Sequence, residues 1–301
     1  MHGISGKLPP PEAPWQRLAR QYLKSRVGTV ALALLAIILL LALCAPLVSP
    51  QDPYDLSTVS IMEAEQPPGA VSADGKITYH LGTDGAGRDL MSAILYGLRI
   101  SVGIGFASAL VALAIGTTIG LVSAHFGGKV DAAIMRLVDL QLSIPAILVA
   151  LVLLAAVGQG ADKTLIALVA VQWAYFARNV RGAAIVERQK EYIEAALGQG
   201  LPAIRVMFRH ILPNCVAPLV VTATLQMAHA ITLEATMSFL GIGLPQTKPS
   251  LGLLISNGFE YMFSHKHWIS LFPGIALVIL VVTINLVGDR LRTVLNPKLD
   301  A

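Results

Sequence analysis

Few side chains in this sequence could do chemistry, and they do not gather. The 301 residues include seven histidines and two cysteines. Cys44 and Cys215 both lie in apolar stretches, without the spacing of a disulfide framework or a zinc site. Gly82, Gly85 and Gly87 invite comparison with a phosphate cradle, but no Lys-Ser/Thr ending follows them. Gly127-Gly128-Lys129 is no better, because Val130 follows and no glycine stands five positions before Gly128. An ATP site in this chain is not expected. Most ionisable residues fall between apolar runs, so no His/Asp/Glu constellation of an enzyme forms. The exceptions are His229 and Glu234, within or at the edge of one apolar run that also holds the polar Gln226, and Asp139 beside another. Such residues are expensive in a membrane and tend to be functional. Gln226 and Glu234 share a helical face with Ala230 and Leu233, and His229 stands one step off it. Glu234 either lines a cavity or pairs with a helix end or Arg99. Met227, His229 and Met237 are too scattered for a metal site. Asp139 follows Arg136 by three, which favours an ion pair along one helix.

Composition says where these residues must sit. Hydrophobic residues make up 55% of the chain and charged residues 13%, against about 45–50% and about 25% in soluble domains. The apolar excess excludes disorder. An ordinary cytosolic enzyme would need more polar residues to cover its outside. Lipid is the expected solvent for much of this surface.

A bilayer core takes about 20 mainly apolar helical residues. Six spans are expected: Val27–Val48, Ile100–Ala124, Leu137–Val157, Thr164–Ala177, Asn214–Leu233 (extending towards Gly241) and Trp268–Gly288. The first is too long for a signal-peptide core and has no small-residue cleavage site after it. It is read as a retained helix. The fourth is an uncharged run of only 14 residues. Without it, the basic clusters would fall on opposite sides of the membrane.

With the N-terminus in the cytoplasm, 16 of the 22 Lys and Arg residues lie inside, from Lys7 and Arg17 to Arg292 and Lys298. The six outside are Lys76, Arg88, Arg99, Lys163, Lys248 and Lys266. This asymmetry follows the positive-inside rule and places both termini in the cytoplasm. The net charge of +4 then needs no nucleic-acid partner, and no aromatic–basic interleaving suggests one. Trp15, Leu18, Tyr22 and Leu23 alternate with Arg17, Arg20 and Lys24 at helical spacing, as in an amphipathic anchor on the inner face. The first outside loop, about Ser49–Leu95, is rich in Pro, Gly and Asp. Near its end Asp89 is placed to cap a helix starting at Leu90.

The inside stretch from Arg178 to Asn214 is polar, basic and too long for a tight connection. Glu194-Ala195-Ala196 gives a short helix whose small residues allow close approach by another protein. Gly200 ends that helix, and Pro202 suits the first turn of the next. Ile204, Val206, Met207 and Ile211 supply an apolar face.

Glu194-Ala195-Ala196, Gly200 and Ile211-Leu212-Pro213 together resemble the EAA loop of the membrane subunits of bacterial ABC importers. In that pattern EAA is followed by three residues, Gly, nine residues and Ile-x-Leu-Pro. Glu194, Ala195, Ala196, Gly200, Leu212 and Pro213 match it. The family's Ile position falls on His210, with Ile211 one place late, and the RHILPN form is similar to the peptide-type branch. The blocks Leu81–Ser101, Phe126–Asp139, Ser238–Pro245 and Asn285–Leu299 resemble the second, C-type permease subunit of dipeptide/oligopeptide/nickel importers. The likeness runs from about Trp15 to the C-terminus.

The resemblance implies an all-α, multi-pass bacterial inner-membrane protein with the type I ABC importer transmembrane domain and a cytoplasmic coupling helix. Residues 1–26 would be a cytoplasmic segment, 27–95 the first span and its outside loop, 96–289 the permease domain and 290–301 a tail. A second homologous permease would complete the channel. Two ABC ATPase subunits would bind ATP and Mg, so no cofactor is expected in this chain. An extracytoplasmic binding protein would deliver di- or oligopeptides. Glu194, Ala195, Ala196, Gly200, Leu212 and Pro213 would couple to an ATPase. Gln226, His229 and Glu234 would line the translocation path, where a polar wall suits a zwitterionic peptide. Nickel, glutathione or another small cargo is the same-family alternative. A secondary transporter would need inverted repeats with broken, symmetric spans, which the sequence does not display.

Overall fold

The structure, a computed structural model, describes residues 14–55 and 57–295. Lys7, Lys298 and the end of the tail, together with the side chain of Trp15, lie outside what is described. Twelve α-helices occupy the described residues: α1 Pro14–Leu23, α2 Arg26–Leu43, α3 Ala45–Val48, α4 Leu90–Phe126, α5 Gly128–Ser143, α6 Ala146–Val157, α7 Ala161–Arg188, α8 Glu191–Gly198, α9 Ala203–Arg205, α10 Leu212–Phe239, α11 Leu251–Phe259 and α12 Trp268–Leu295.

Hydropathy explains four crossings directly. Helices α2, α4 and α12 and the continuous helix Ala203–Phe239 are long and apolar enough to cross a membrane. Large apolar side chains such as Val30, Val152 and Ile166 are exposed on the bundle's outside, where lipid rather than water is the solvent. Helix α4 spans 37 residues, about 55 Å at 1.5 Å per residue, so it extends well beyond a ~30 Å hydrocarbon core. Asp89 starts it: its carboxylate accepts the Ser92 N–H at 2.8 Å. Hydroxyls inside α10 turn back onto their own helix, as Thr222 does to the Pro218 carbonyl at 3.0 Å and Thr232 to Ala228 at 3.0 Å. Backbone acceptors thus satisfy donors that lipid could not.

The third crossing is not the single helix expected over Leu137–Val157. Helices α5 and α6 meet at an 88° bend. Pro145 forces the break. It disfavours helical geometry at the residue before it, and Ile144 is extended at φ −93°, ψ 134°. Helix α6 has 12 residues, about 18 Å, too short to cross alone.

A helix does stand where the fourth span was expected, longer than the apolar run, although it is not among the helices apolar enough to cross by composition. Helix α7 has 28 residues, about 42 Å. Its hydropathy is low because it carries Asp162, Lys163, Arg178, Arg181, Glu187 and Arg188 besides its apolar residues. Gly116 and Gly120 of α4 let the two backbones touch. A Cβ at Gly116 would sit 2.4 Å from the Trp173 carbonyl oxygen, and one at Gly120 would sit 2.6 Å from that of Ala177. Small residues four apart are how membrane helices pack closely.

The fifth helix begins before the expected Asn214. From Ala203 it runs through a π-helical stretch, Val206–Ile211, into α10. Pro213 has no N–H, and its ring crowds the carbonyl one turn back. The wider turns before it relieve that crowding, and the Leu212 N–H reaches the Met207 carbonyl instead.

The helices define two ends. At one, the loop before α4 carries a small antiparallel hairpin, Ala70–Val71 with Thr78–Tyr79. Glu65 of that loop pairs with Lys266 before α12, and Gln159 before α7 donates to the Gly241 carbonyl after α10 at 2.6 Å. We call this the loop end. At the other, the basic end, Arg290 donates to the Gln21 and Tyr22 carbonyls, so the two terminal helices meet. Tyr22 is buried there, while Leu18 and Leu23 stay exposed.

Candidate coupling surface and polar groove

Helix α8 stands out at the basic end as a short helix with two distinct faces. Ile193 is fully buried against a core that includes Leu121, Val180, Val206 and Met207, and Ala196 is nearly buried too. Glu194 and Ala195 are exposed on the outer side. The helix stops in a defined way. Gly200 has φ +74°, its N–H bonds to the Leu197 carbonyl at 3.0 Å, and the Leu201 N–H reaches the Ala196 carbonyl at 3.3 Å. That pair of bonds is the Schellman closure, which needs a residue able to adopt positive φ.

A polar network holds α8 to its neighbours. Glu187 is buried at the end of α7. It pairs with Lys190 at 2.7 Å and accepts from the Tyr192 hydroxyl. Asn214 donates to that hydroxyl at 3.0 Å and to the His210 carbonyl at 2.8 Å. Desolvation and the Glu187 carboxylate push the Tyr192 phenol up to about 12, so it remains a donor at any physiological pH. Leu212 is half-buried and Pro213 exposed beside this network. The sequence pattern found Glu194, Ala195, Ala196, Gly200, Leu212 and Pro213 but missed Glu187, Tyr192 and Asn214. The Glu187–Lys190 spacing of three was the available signal.

Two further ion pairs brace this end. Arg181 bonds Asp131 at 2.5 Å through both Nε and Nη2. Arg178 pairs with Asp139. Asp139 therefore pairs across helices rather than with Arg136. Helix α5 crosses α7 and brings the Arg178 guanidinium to it, which the spacing along α5 alone could not disclose.

The polar residues of α10 separate into two places. Gln226 and His229 lie on an open groove with Tyr175 and Asn179 of α7 and Asn285 and Arg292 of α12. Its larger part is about 620 Å³. The Tyr175 and His229 rings meet edge to face at 6.1 Å. Gln226 is 8% exposed and its Nε2 has no partner among the described residues, nor has His229 Nδ1. Among the described residues, no carboxylate lines this wall. It offers neutral hydrogen-bonding groups and one guanidinium.

Glu234 is elsewhere. It is fully buried and accepts from Ser101 of α4 and Ser238 of α10, both at 2.8 Å, and from Ser250 at the start of α11. Arg99 is exposed and takes no part. Glu234 ties three helices together and does not share the groove with Gln226 and His229.

At the loop end, Gly82 and Gly87 serve a turn. The Asp84 carboxylate accepts the Ala86 and Arg88 N–H groups, each at 2.9 Å, and bonds Arg88 Nε at 2.9 Å. A polar cavity of about 410 Å³ opens there beside Gln246, Asn257, Glu260 and Tyr261.

Comparison with known proteins agrees with this architecture. Residues 116–301 match the family described as binding-protein-dependent transport system inner membrane component. Residues 13–68 match the N-terminal transmembrane domain of oligopeptide transport permease C. A provisionally named peptide transport system permease protein of Brucella suis is 40% identical over 281 residues, 93% of this chain and 91% of the relative. The dipeptide transport system permease protein DppC of Haemophilus influenzae is 35% identical over 289 residues, 96% of each chain. The di/tripeptide transport system permease protein DppC of Pseudomonas aeruginosa is 35% identical over 285 residues, 95% of this chain and 91% of the relative. The fold resembles a chain of the MetNI methionine ABC transporter in an inward-facing form, with TM-score 0.57, 21% identity and coverage of 68% of this chain and 97% of that one. The chain thus has the type I ABC importer transmembrane fold and belongs to the membrane permease subunits of ABC importers, in the C-type branch of the dipeptide/oligopeptide/nickel family.

Proposed function

We propose that this chain forms half of the path by which an ATP-driven importer carries di- and oligopeptides inwards. The observation that carries the reading is α8: an exposed Glu194–Ala195 face on a helix fixed from behind by buried Ile193 and Ala196. A short helix held from behind, with Glu194 and Ala195 on its outer side, suits insertion into a partner's groove. The partners are two ATPase subunits, which bind ATP and Mg, one contacting α8 of this chain. A second homologous permease closes the path, and an extracytoplasmic binding protein delivers cargo at the loop end. Both termini are cytoplasmic, as the distribution of Lys and Arg requires. Residues 96–289 are the permease domain, flanked by segments 1–26 and 27–95 and by the tail 290–301.

ATPase closure moves α8, and the Glu187–Tyr192–Asn214 network carries that displacement to α7 and α10. Coupling of this kind requires only that α8 contact its partner differently in two states. Gln226 and His229, joined by Tyr175, Asn179 and Asn285, line the path. Their neutral amides and ring nitrogens can exchange hydrogen bonds with successive peptide groups without holding one side chain tightly. Glu234 keeps its sequence-derived place in the mechanism only indirectly, by fixing α10 against α4 and α11.

Peptide uptake by cells carrying Glu194→Lys or Ala195→Trp tests the reading. The complex should assemble in normal amount while uptake falls at least tenfold and ATP hydrolysis no longer responds to the loaded binding protein. Normal uptake in both variants would refute the role of α8.

A further inference from the structure

The peripheral helix α2 leaves an apolar groove against α12 that the transport reading does not use. Its walls are Val30 and Leu34 on one side and Val278, Val282 and Leu286 on the other, and its volume is about 460 Å³. These side chains are exposed, Val30 by 66% and Val278 by 60%. The helices run antiparallel, so the groove starts at Arg26 and extends eight residues along α2 to Leu34, about 12 Å into the membrane.

Arg26 sits at the mouth. It is exposed and has no carboxylate partner among the described residues. Lys24, also exposed, lies two residues earlier. The mouth coincides with the start of α2, where first-turn N–H groups lack intrahelical acceptors. Ser25 takes only that of Gly28, at 3.2 Å. An anion at this place meets a guanidinium, free amide N–H groups and the positive end of an 18-residue helix. The charge distinguishes this groove from the apolar one between α4 and α10, lined by Phe106, Leu113 and Val216, whose wall has no charged residue among the described residues.

We propose that the α2–α12 groove holds one acyl chain of an anionic glycerophospholipid whose phosphate rests on Arg26. The geometry asks for both parts of such a molecule: an apolar chain running towards the bilayer centre and a negative group at the basic end. A zwitterionic lipid would fill the groove but bring no net charge to Arg26. The site rests only on the chain being in a membrane and stands whether or not α8 is the coupling element.

The assembled complex, purified in detergent, is exposed to equimolar dioleoyl-phosphatidylglycerol and dioleoyl-phosphatidylcholine, and retained lipid is counted by native mass spectrometry. The wild type should prefer the anionic lipid about fivefold, the effect of one cation at a membrane surface. Arg26→Gln should bring the ratio close to one. Val282→Trp, which fills the groove at an exposed position, should reduce retention of both lipids while leaving subunit assembly intact. Equal retention by the wild type, or an unchanged ratio in Arg26→Gln, overturns the proposal. So does competition by glycerol phosphate as effective as the intact lipid, which would make this an anion site without a chain. Loss of subunits from the Val282→Trp complex would show that protein occupies the groove, and this too overturns it.

Discussion

Ser101 on α4 donates a hydrogen bond of 2.8 Å to Glu234 on α10, across 133 residues of sequence. With Ser238 and Ser250 completing the set, a buried carboxyl becomes the fastener of three helices. Removing one partner from such a cluster strands the others. Glu234→Ala should destabilise the protein by about 3 kcal/mol, from several lost hydrogen bonds to one buried group. Glu234→Gln keeps an acceptor oxygen and should retain uptake within about twofold at normal assembly. Thermal unfolding of the detergent-solubilised complex reads the first effect and peptide uptake the second. Abolished uptake in a well-assembled Glu234→Gln complex would return Glu234 to the path.

Gly200 is required for its backbone and not for space. Among the described residues nothing lies within 4 Å of a Cβ placed there, yet φ is +74°. Gly200→Ala should therefore cost about 1–2 kcal/mol of left-handed strain, felt locally as fraying of α8. Gly200→Asn should cost less. Hydrogen exchange of the α8 amides distinguishes them: faster exchange in Ala than in Asn is expected, and identical rates in all three forms would contradict the Schellman closure.

Gly120 is required for space. Any side chain meets the Ala177 carbonyl at 2.6 Å and the Val180 Cβ at 2.9 Å, so Gly120→Leu should prevent α4 and α7 from packing and abolish recovery of folded permease. Gly103 on the same helix has nothing within 4 Å of its would-be Cβ, and Gly103→Ala should be neutral. Yield of monodisperse complex reads both. Good recovery of Gly120→Leu would contradict the close approach.

The Lys266 ammonium bonded to Glu65 holds that carboxyl below its ordinary value of 4.5. Tyr261 also reaches it. A depressed carboxyl contributes stability that is fully present above the ordinary value and is lost as pH falls through the lower folded one. The loop before α4 should therefore stay protease-resistant at neutral pH and loosen only below about pH 4.5. Glu65→Gln should remove that acid step. Pepsin cleavage in the loop against pH is the measurement, and an acid step that persists in Glu65→Gln would assign it to another group.

Tyr192→Phe tests the network behind α8. It removes the hydroxyl that links Glu187 to Asn214 while keeping the ring. A loss of about 1 kcal/mol in stability is expected, with basal ATP hydrolysis by the complex less responsive to the binding protein. Unaltered stimulation would place the link between α8 and α10 elsewhere.

Membrane residence, the long apolar helices α2, α4, α10 and α12, the basic end and the α8 pattern were legible in the sequence. Each depends on residue type summed over a local window, or on a fixed spacing within one helix. Pro145 and Pro213 were equally visible, but their consequences were not, since a proline can break a helix, as at Ile144, or be absorbed by π turns, as before Leu212. The weak hydropathy of α7 comes from its charged residues, and only the structure shows how closely that helix packs on Gly116 and Gly120. Tertiary structure alone decided that Asp139 meets Arg178, that Gln226 and His229 share a groove with Tyr175 and Asn285, and that Glu234 faces serines instead. The physical reason is that helical periodicity fixes which residues share a face, while only the packing of distant helices fixes what that face meets.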